Sequence, residues 1–253
     1  MREWEAITLA EREGRLGRFS IPDQEPTRIH IAPDLHYPFQ NDDAVAHILD
    51  IARGCDVIVQ IGDGLEAYGV SSYVKDPRVK HSLNDEAKAY RNGFWKPIRQ
   101  QNPKARLVQI YGNHEERIYN HVRQYAAAMH DLPALTLGRL INAERFNIEV
   151  HPRSGLLIAG HRVKHGDVAR AIGSARAEMS KHRCSGISGH THRCEHETFV
   201  DAEGIRTDWW SAGHACRPEL LDYLKTPPNW QLSGGVTLTV YPDGRTFVQE
   251  HRL

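Results

Sequence analysis

Between Arg28 and Tyr111, short apolar runs alternate with stretches of helical periodicity, and this alternation restricts the chain to a few layered architectures. The run RIHIAP (28–33) reads as a strand stopped by Pro33. Asn41 then caps a helix whose apolar positions Ala44, Val45, Ile48, Leu49, Ile51 and Ala52 recur at helical spacing before Gly54. The next run, DVIVQI (56–61), is nearly all apolar and is expected to be buried on both faces. A second round follows, with a long polar helix over Leu83 to Gln101, the strand ARLVQIY (105–111) and a helix opening after Gly112. Beyond Pro133 the strands shorten to IEVH (148–151), then LLIAG and RVKHG on either side of residue 160, with a helix over Ala169 to Lys181. The tail, GVTLTVYPDGRTFVQEH, alternates around a Pro-Asp-Gly turn and predicts a hairpin. The expected fold is α/β, a four-layer αββα sandwich of two mixed β-sheets flanked by helices.

A length of 253 residues suffices for one sizeable core, so residues 28–253 are read as a single domain and residues 1–27 as an N-terminal arm with a helical stretch over Glu3 to Arg15. The opening residues are charged throughout, without the apolar core of a signal peptide, and no run is long enough to cross a bilayer. The expectation is a cytoplasmic protein without a membrane partner. Cys55, Cys184, Cys194 and Cys216 form no C-x-x-C pair and read as free thiols of a reducing compartment. Thirty-two acids balance 32 bases, which argues against a global basic footprint for nucleic acid. Oligomeric state is not readable from these features.

The strand ends carry the chemistry. The first ends in Asp34-Leu35-His36, the second in Gly62-Asp63-Gly64 and the third in Gly112-Asn113-His114-Glu115. Loops at the carboxyl ends of strands in an open α/β sheet converge on one crevice, which brings Asp34, His36, Asp63 and Asn113 together. Two further groups, His165-Gly166-Asp167 and Gly189-His190-Thr191-His192, again follow strands. Histidine is the compositional outlier at 16 copies, and imidazole is the commonest metal ligand among side chains. Two carboxylates, one amide and four imidazoles suit a pair of divalent ions about 3.5–4 Å apart that share one carboxylate and keep open positions for water.

These residues resemble the calcineurin-like metallophosphoesterases. That family's order of D-x-H, G-D-x-x-[DE], G-N-H-[DE], a lone His and G-H-x-H is matched by Asp34-Leu35-His36, Gly62-Asp63-Gly64-Leu65-Glu66, Gly112-Asn113-His114-Glu115, His165 and Gly189-His190-Thr191-His192. The GNHEER block and the tail are also similar to phosphoesterases of phages. The resemblance implies one ion held by Asp34, His36, Asp63 and His192, and a second by Asp63, Asn113, His165 and His190. It further implies hydrolysis of a phosphomonoester or small phosphodiester, a nucleotide included, by a metal-bridging hydroxide. His114 is then the catalytic group that binds a phosphoryl oxygen or protonates the leaving alkoxide. Mixed N/O ligands suit Mn2+, the preferred choice, as well as Fe, Zn2+, Co2+ or Ni2+. Asp167 and Glu115 are expected to orient imidazoles from behind.

Glu66 stands where the protein Ser/Thr phosphatases carry an Arg, which lowers support for that branch. Arg117 is read as a solvated helix-surface residue in preference to a phosphate ligand. Trp209 and Trp210 are expected to fill a core or interface. The other histidines singled out, among them His47, His81, His161, His182 and His251, are taken as ordinary, with His214 the best exception. Two alternatives stay open: a metal-dependent DNA nuclease, disfavoured by the neutral charge, and a metal-binding scaffold without catalysis.

Overall fold

The computed structural model describes residues 17–19, 25–76, 79, 81–168, 170, 172–221, 224 and 229–253. The helix expected over Glu3 to Arg15 lies outside them. Twelve described strands form two six-stranded sheets. In the first, β2 (Thr27–Ala32), β3 (Val57–Gln60), β4 (Arg106–Ile110) and β5 (Ile148–His151) run parallel, and the tail hairpin of β11 (Ser233–Val240) and β12 (Thr246–Arg252) adds antiparallel to β2. The second has the order β1 (Gly17–Phe19), β6 (Leu156–Ile158), β7 (His161–Lys164), β8 (Gly186–Ser188), β10 (Arg206–Ala212) and β9 (Cys194–Val200). Gly17–Phe19, within the segment read as an arm, is thus an edge strand parallel to β6.

Alternation along the strands assigns the layers. Ile58, Leu107 and Ile148 face a cluster built with α1 (Asp42–Ile51) and the long helix comprising α2 (Leu83–Tyr90), a π-turn (Arg91–Trp95) and α3 (Lys96–Gln101). Pro97 has no N–H for the carbonyl four residues back, and the π-turn precedes it. On the opposite face Ile29, Ile31, Val57, Val59, Val108 and Ile110 meet Leu156, Ile158, Val163, Ile187 and Trp210 of the second sheet. Trp209, one residue away, points outward beneath Ala175 and Met179 of α7 (Ser174–His182). The result is an αββα sandwich. Both tryptophans fill cores, on opposite faces of one strand.

The helix caps follow their sequence signals. Asn41 accepts Ala44 N–H at 3.1 Å, and Ser82 with Asp85 closes a capping box. Two short helices, α5 (Leu137–Leu140) and α6 (Ala143–Phe146), lead into β5. The helix expected from Ala169 starts at Ser174. The β9–β10 hairpin has no counterpart in the sequence reading. Its tip exposes Phe199, Val200 and Ile205, so hydrophobicity and burial run against each other there. All four cysteines are free thiols, and no described helix is long and apolar enough to cross a membrane.

Candidate metal centre

Five loops meet at the carboxyl ends of β2, β3, β4, β7 and β8. The first two are locked by backbone: Leu35 and His36 N–H donate to Asp63 O at 3.0 and 2.9 Å, and Tyr37 N–H donates to Gly64 O at 2.9 Å. Glu115, in the first turn of α4 (Asn113–Tyr125), joins the second loop to the third by accepting N–H groups of Asp63, Leu65 and Gly112 at 2.8–2.9 Å. The loops after β7 and β8 attach through His165 Nδ1 to Ile61 O at 3.1 Å and His190 N–H to Asp34 Oδ2 at 2.9 Å. Gly62 is required where the loops crowd: it has φ of +105°, and a Cβ there would lie 2.6 Å from His165 Nδ1.

The convergence yields three overlapping ion-sized groups among the described residues, one of them His36, Glu66 and His114. Asp34, His36, Asp63 and His192 place one ligand atom each within 4.8 Å of one another, as do Asp63, His165 and His190. Asn113 Oδ1 stands 2.9 Å from His165 Nε2. All seven residues singled out from the sequence therefore come together, with Asp63 common to these last two groups. His114 is in neither group that contains Asp63 but in the third, with His36 and Glu66; its Nε2 lies 3.7 Å from Asp63 Oδ2, and its ring centroid 4.5 Å from that of His36.

The hydrogen-bond partners of the imidazoles argue that the donor set fits cations. Glu66 Oε2 is 2.7 Å from His36 Nδ1, and a carboxylate only accepts, so a neutral His36 carries its proton there and presents a bare Nε2. Ile61 O likewise claims the Nδ1 proton of His165. That leaves His165 Nε2 3.3 Å from Asp63 Oδ2, and His36 Nε2 3.0 Å from His192 Nε2, which is itself 3.0 Å from Asp34 Oδ2. Lone pairs facing lone pairs repel unless protons or cations lie between them. Asp34 Oδ1 and His192 Nδ1 are buried without a hydrogen-bond partner among the described residues. The two groups that share Asp63 can hold metal ions.

The backbone is bent to achieve this. His36, Asp63, His190 and His192 have φ of +53°, +52°, +70° and +57°, in the left-handed region that non-glycine residues avoid. Each such residue costs about 1–3 kcal/mol, an expense that recurs at ligand clamps.

Electrostatics follow the same geometry. Burial opposes charge on Asp63, yet the imidazoles of His114 and His165 hold its carboxyl well below the usual range. Burial also opposes charge on His165 and His114, and the surrounding carboxylates together outweigh it, Asp63 and Asp34 at His165 and Asp63 and Glu66 at His114, raising both imidazoles. Burial dominates at two other imidazoles, pushing His190 down to about 4 and lowering His192.

Several supporting residues were misread or missed in the sequence. Glu115 holds backbone N–H groups and no imidazole. Asp167 pairs with Lys164 and Lys181. The carboxylate that orients imidazoles is Glu66, which reaches His36 Nδ1 at 2.7 Å and His114 Nδ1 at 3.2 Å. Arg117 donates to Glu66 and to His114 Nε2. Beneath the loops, Gln109 donates to Gln60, Gln60 donates to Pro33 O and Gly62 O, and Tyr90 donates to Gln109, a buried amide floor. The shared V-Q-I of β3 and β4 was its available signal. His214 is at the rim, its ring centroid 5.7 Å from that of His192. No protein-family model matches the chain, and no curated protein matches it.

Proposed function

We propose that the chain is a hydrolase that cleaves phosphate esters with two divalent ions, Mn2+ preferred, at the buried cluster. The observation that carries the reading is the membership of Asp63 in two ion-sized groups, which would allow one carboxylate to serve two cations. Such a pair of ions acidifies water and neutralises charge on phosphoryl oxygens. The chain's own residues do the rest. Asp34, His36 and His192 complete one ligand set with Asp63, and Asn113, His165 and His190 complete the other. Glu66 fixes the His36 tautomer so that Nε2 points inward. His114, anchored through Nδ1 at 2.9 Å from Glu66 O, directs Nε2 toward Asp63, where it can meet a phosphoryl or leaving oxygen.

The test is turnover of para-nitrophenyl phosphate and bis-para-nitrophenyl phosphate by metal-stripped protein resupplied with Mn2+ and, in parallel, with Fe, Zn2+, Co2+ or Ni2+, with and without single-stranded DNA. The expected result is metal-dependent hydrolysis indifferent to DNA and lost on His114→Ala. Diester turnover blocked by DNA would favour a nuclease, and no turnover with any of the five metals would refute the reading.

A further inference from the structure

Arg117 lies one turn into α4, three residues after His114, a spacing that from sequence alone suits a solvated helix surface. Its side chain is instead only 17% exposed. Nη1 donates to Glu66 O at 2.9 Å and to Glu66 Oε1 at 3.1 Å, and Nη2 contacts His114 Nε2 at 2.8 Å. The last contact is unusual for a guanidinium beside the carboxylates of this cluster, because a neutral imidazole is a weak acceptor compared with an oxyanion.

Neighbouring cations are committed differently. Arg153 gives Nε and Nη2 to Gly166 O and Nη1 to Glu116. Lys164 is buried against Asp167 and Glu178. Arg193 bonds Arg170 O and Asn229. Arg117 alone among these four bonds His114, whose Nε2 is 3.7 Å from the Asp63 carboxylate common to two of the ion groups. The Nη2 held on Nε2 would pass from imidazole to phosphoryl oxygen with a gain in hydrogen-bond strength and little movement, while Nη1 stays on Glu66.

We infer that Arg117 is a phosphoryl-oxygen ligand of this site and sets a preference for dianionic phosphomonoesters over diesters. The inference rests on the phosphoesterase reading above. A monoester presents unalkylated oxygens and two negative charges to the guanidinium, whereas a diester has one charge and one fewer free oxygen.

Arg117→Ala and Arg117→Lys in the full chain, with circular dichroism and bound Mn2+ matched to wild type, provide the test. Two readouts are taken: calorimetric binding of inorganic phosphate to the Mn2+-loaded protein, and kcat/KM for the two nitrophenyl esters. Arg117→Ala is expected to weaken phosphate binding and monoester kcat/KM roughly 10- to 100-fold, the weight of one or two charge-assisted hydrogen bonds. Diester kcat/KM falls several-fold less, added guanidinium restores part of the monoester loss, and Arg117→Lys lies between. Wild-type turnover with unchanged phosphate affinity in Arg117→Ala, or equal losses on both esters, overturns the inference and leaves the phosphoesterase reading standing. Phosphate binding that weakens in Arg117→Ala while wild type turns over neither ester supports Arg117 as an oxyanion ligand and removes the phosphoesterase reading. No phosphate binding by wild type overturns the inference. If Arg117→Ala loses Mn2+ or fold, the Lys variant decides by the same two readouts.

Discussion

Replacing Glu66 by Gln isolates the tautomer argument, because the change keeps shape and removes only charge and one acceptor. Glu66 is wholly buried, with Oε2 at 2.7 Å from His36 Nδ1 and Oε1 at 3.1 Å from Arg117 Nη1. A glutamine has one oxygen for these two donors. If the oxygen turns to Arg117, the amide NH2 faces His36 Nδ1 and moves the imidazole proton to Nε2, the atom that would otherwise ligate. If it turns to His36, the NH2 opposes the guanidinium. Either arrangement removes a charge-assisted contact, and loss of such an outer partner typically lowers metal affinity 10- to 100-fold, about 1.4–2.7 kcal/mol. The loss should fall on the group containing His36, since His165 bonds Ile61 O and Asn113 and neither it, Asn113 nor His190 hydrogen-bonds the Glu66 side chain among the described residues. Titration of metal-stripped protein with Mn2+, followed by calorimetry, should resolve one weakened site and one unchanged. Equal weakening of both sites, or unchanged affinity at both, would refute the assignment of Glu66 as the residue that fixes the His36 tautomer.

Asp63→Asn should lower Mn2+ content at both sites, whereas Asp34→Asn should chiefly empty one; equal metal content in Asp63→Asn and wild type, by elemental analysis, would remove Asp63 as the bridge. His30, fully buried in β2, is pushed by burial, and then by His251, from an ordinary value of 6.5 down to about 3. The unfolded chain then takes up a proton that the folded one refuses, so below about pH 6.5 stability should fall with acidification, by up to ~1.4 kcal/mol per pH unit from this residue. His30→Gln should flatten that slope by one proton in urea melts between pH 7 and 4.5. Trp209→Ala, which empties the space beneath α7, should cost about 3–5 kcal/mol in the same melts.

The seven candidate ligands were legible because each follows closely on a strand, the first three of those strands predominantly apolar, and because they fall into five short blocks of metal-ligating residue types. Their supports were not. Glu66 reaches His36 across 30 residues, and its position in a loop gives no periodic cue. Glu115 and Asp167 were misjudged because nearness to histidine in sequence was read as contact, when one side chain was needed by backbone N–H groups and the other by lysines. Arg117 has helical spacing from His114, and whether that face meets water or a site depends on the loop carrying Glu66. The parallel strands declared themselves through two-sided burial. The β9–β10 hairpin could not, since charged and aromatic residues share its exposed tip.

The ligand groups draw on both sheets, with residues 34–113 following strands of the first and residues 165–192 strands of the second. Asp34 and His190 meet across 156 residues, as do His36 and His192. A nascent chain that has emerged only through β5 can form the first sheet's parallel core while each ion group that contains Asp63 lacks its imidazoles from the second. Neither of these groups is complete until both sheets have joined, so a cation bound there would report that joining.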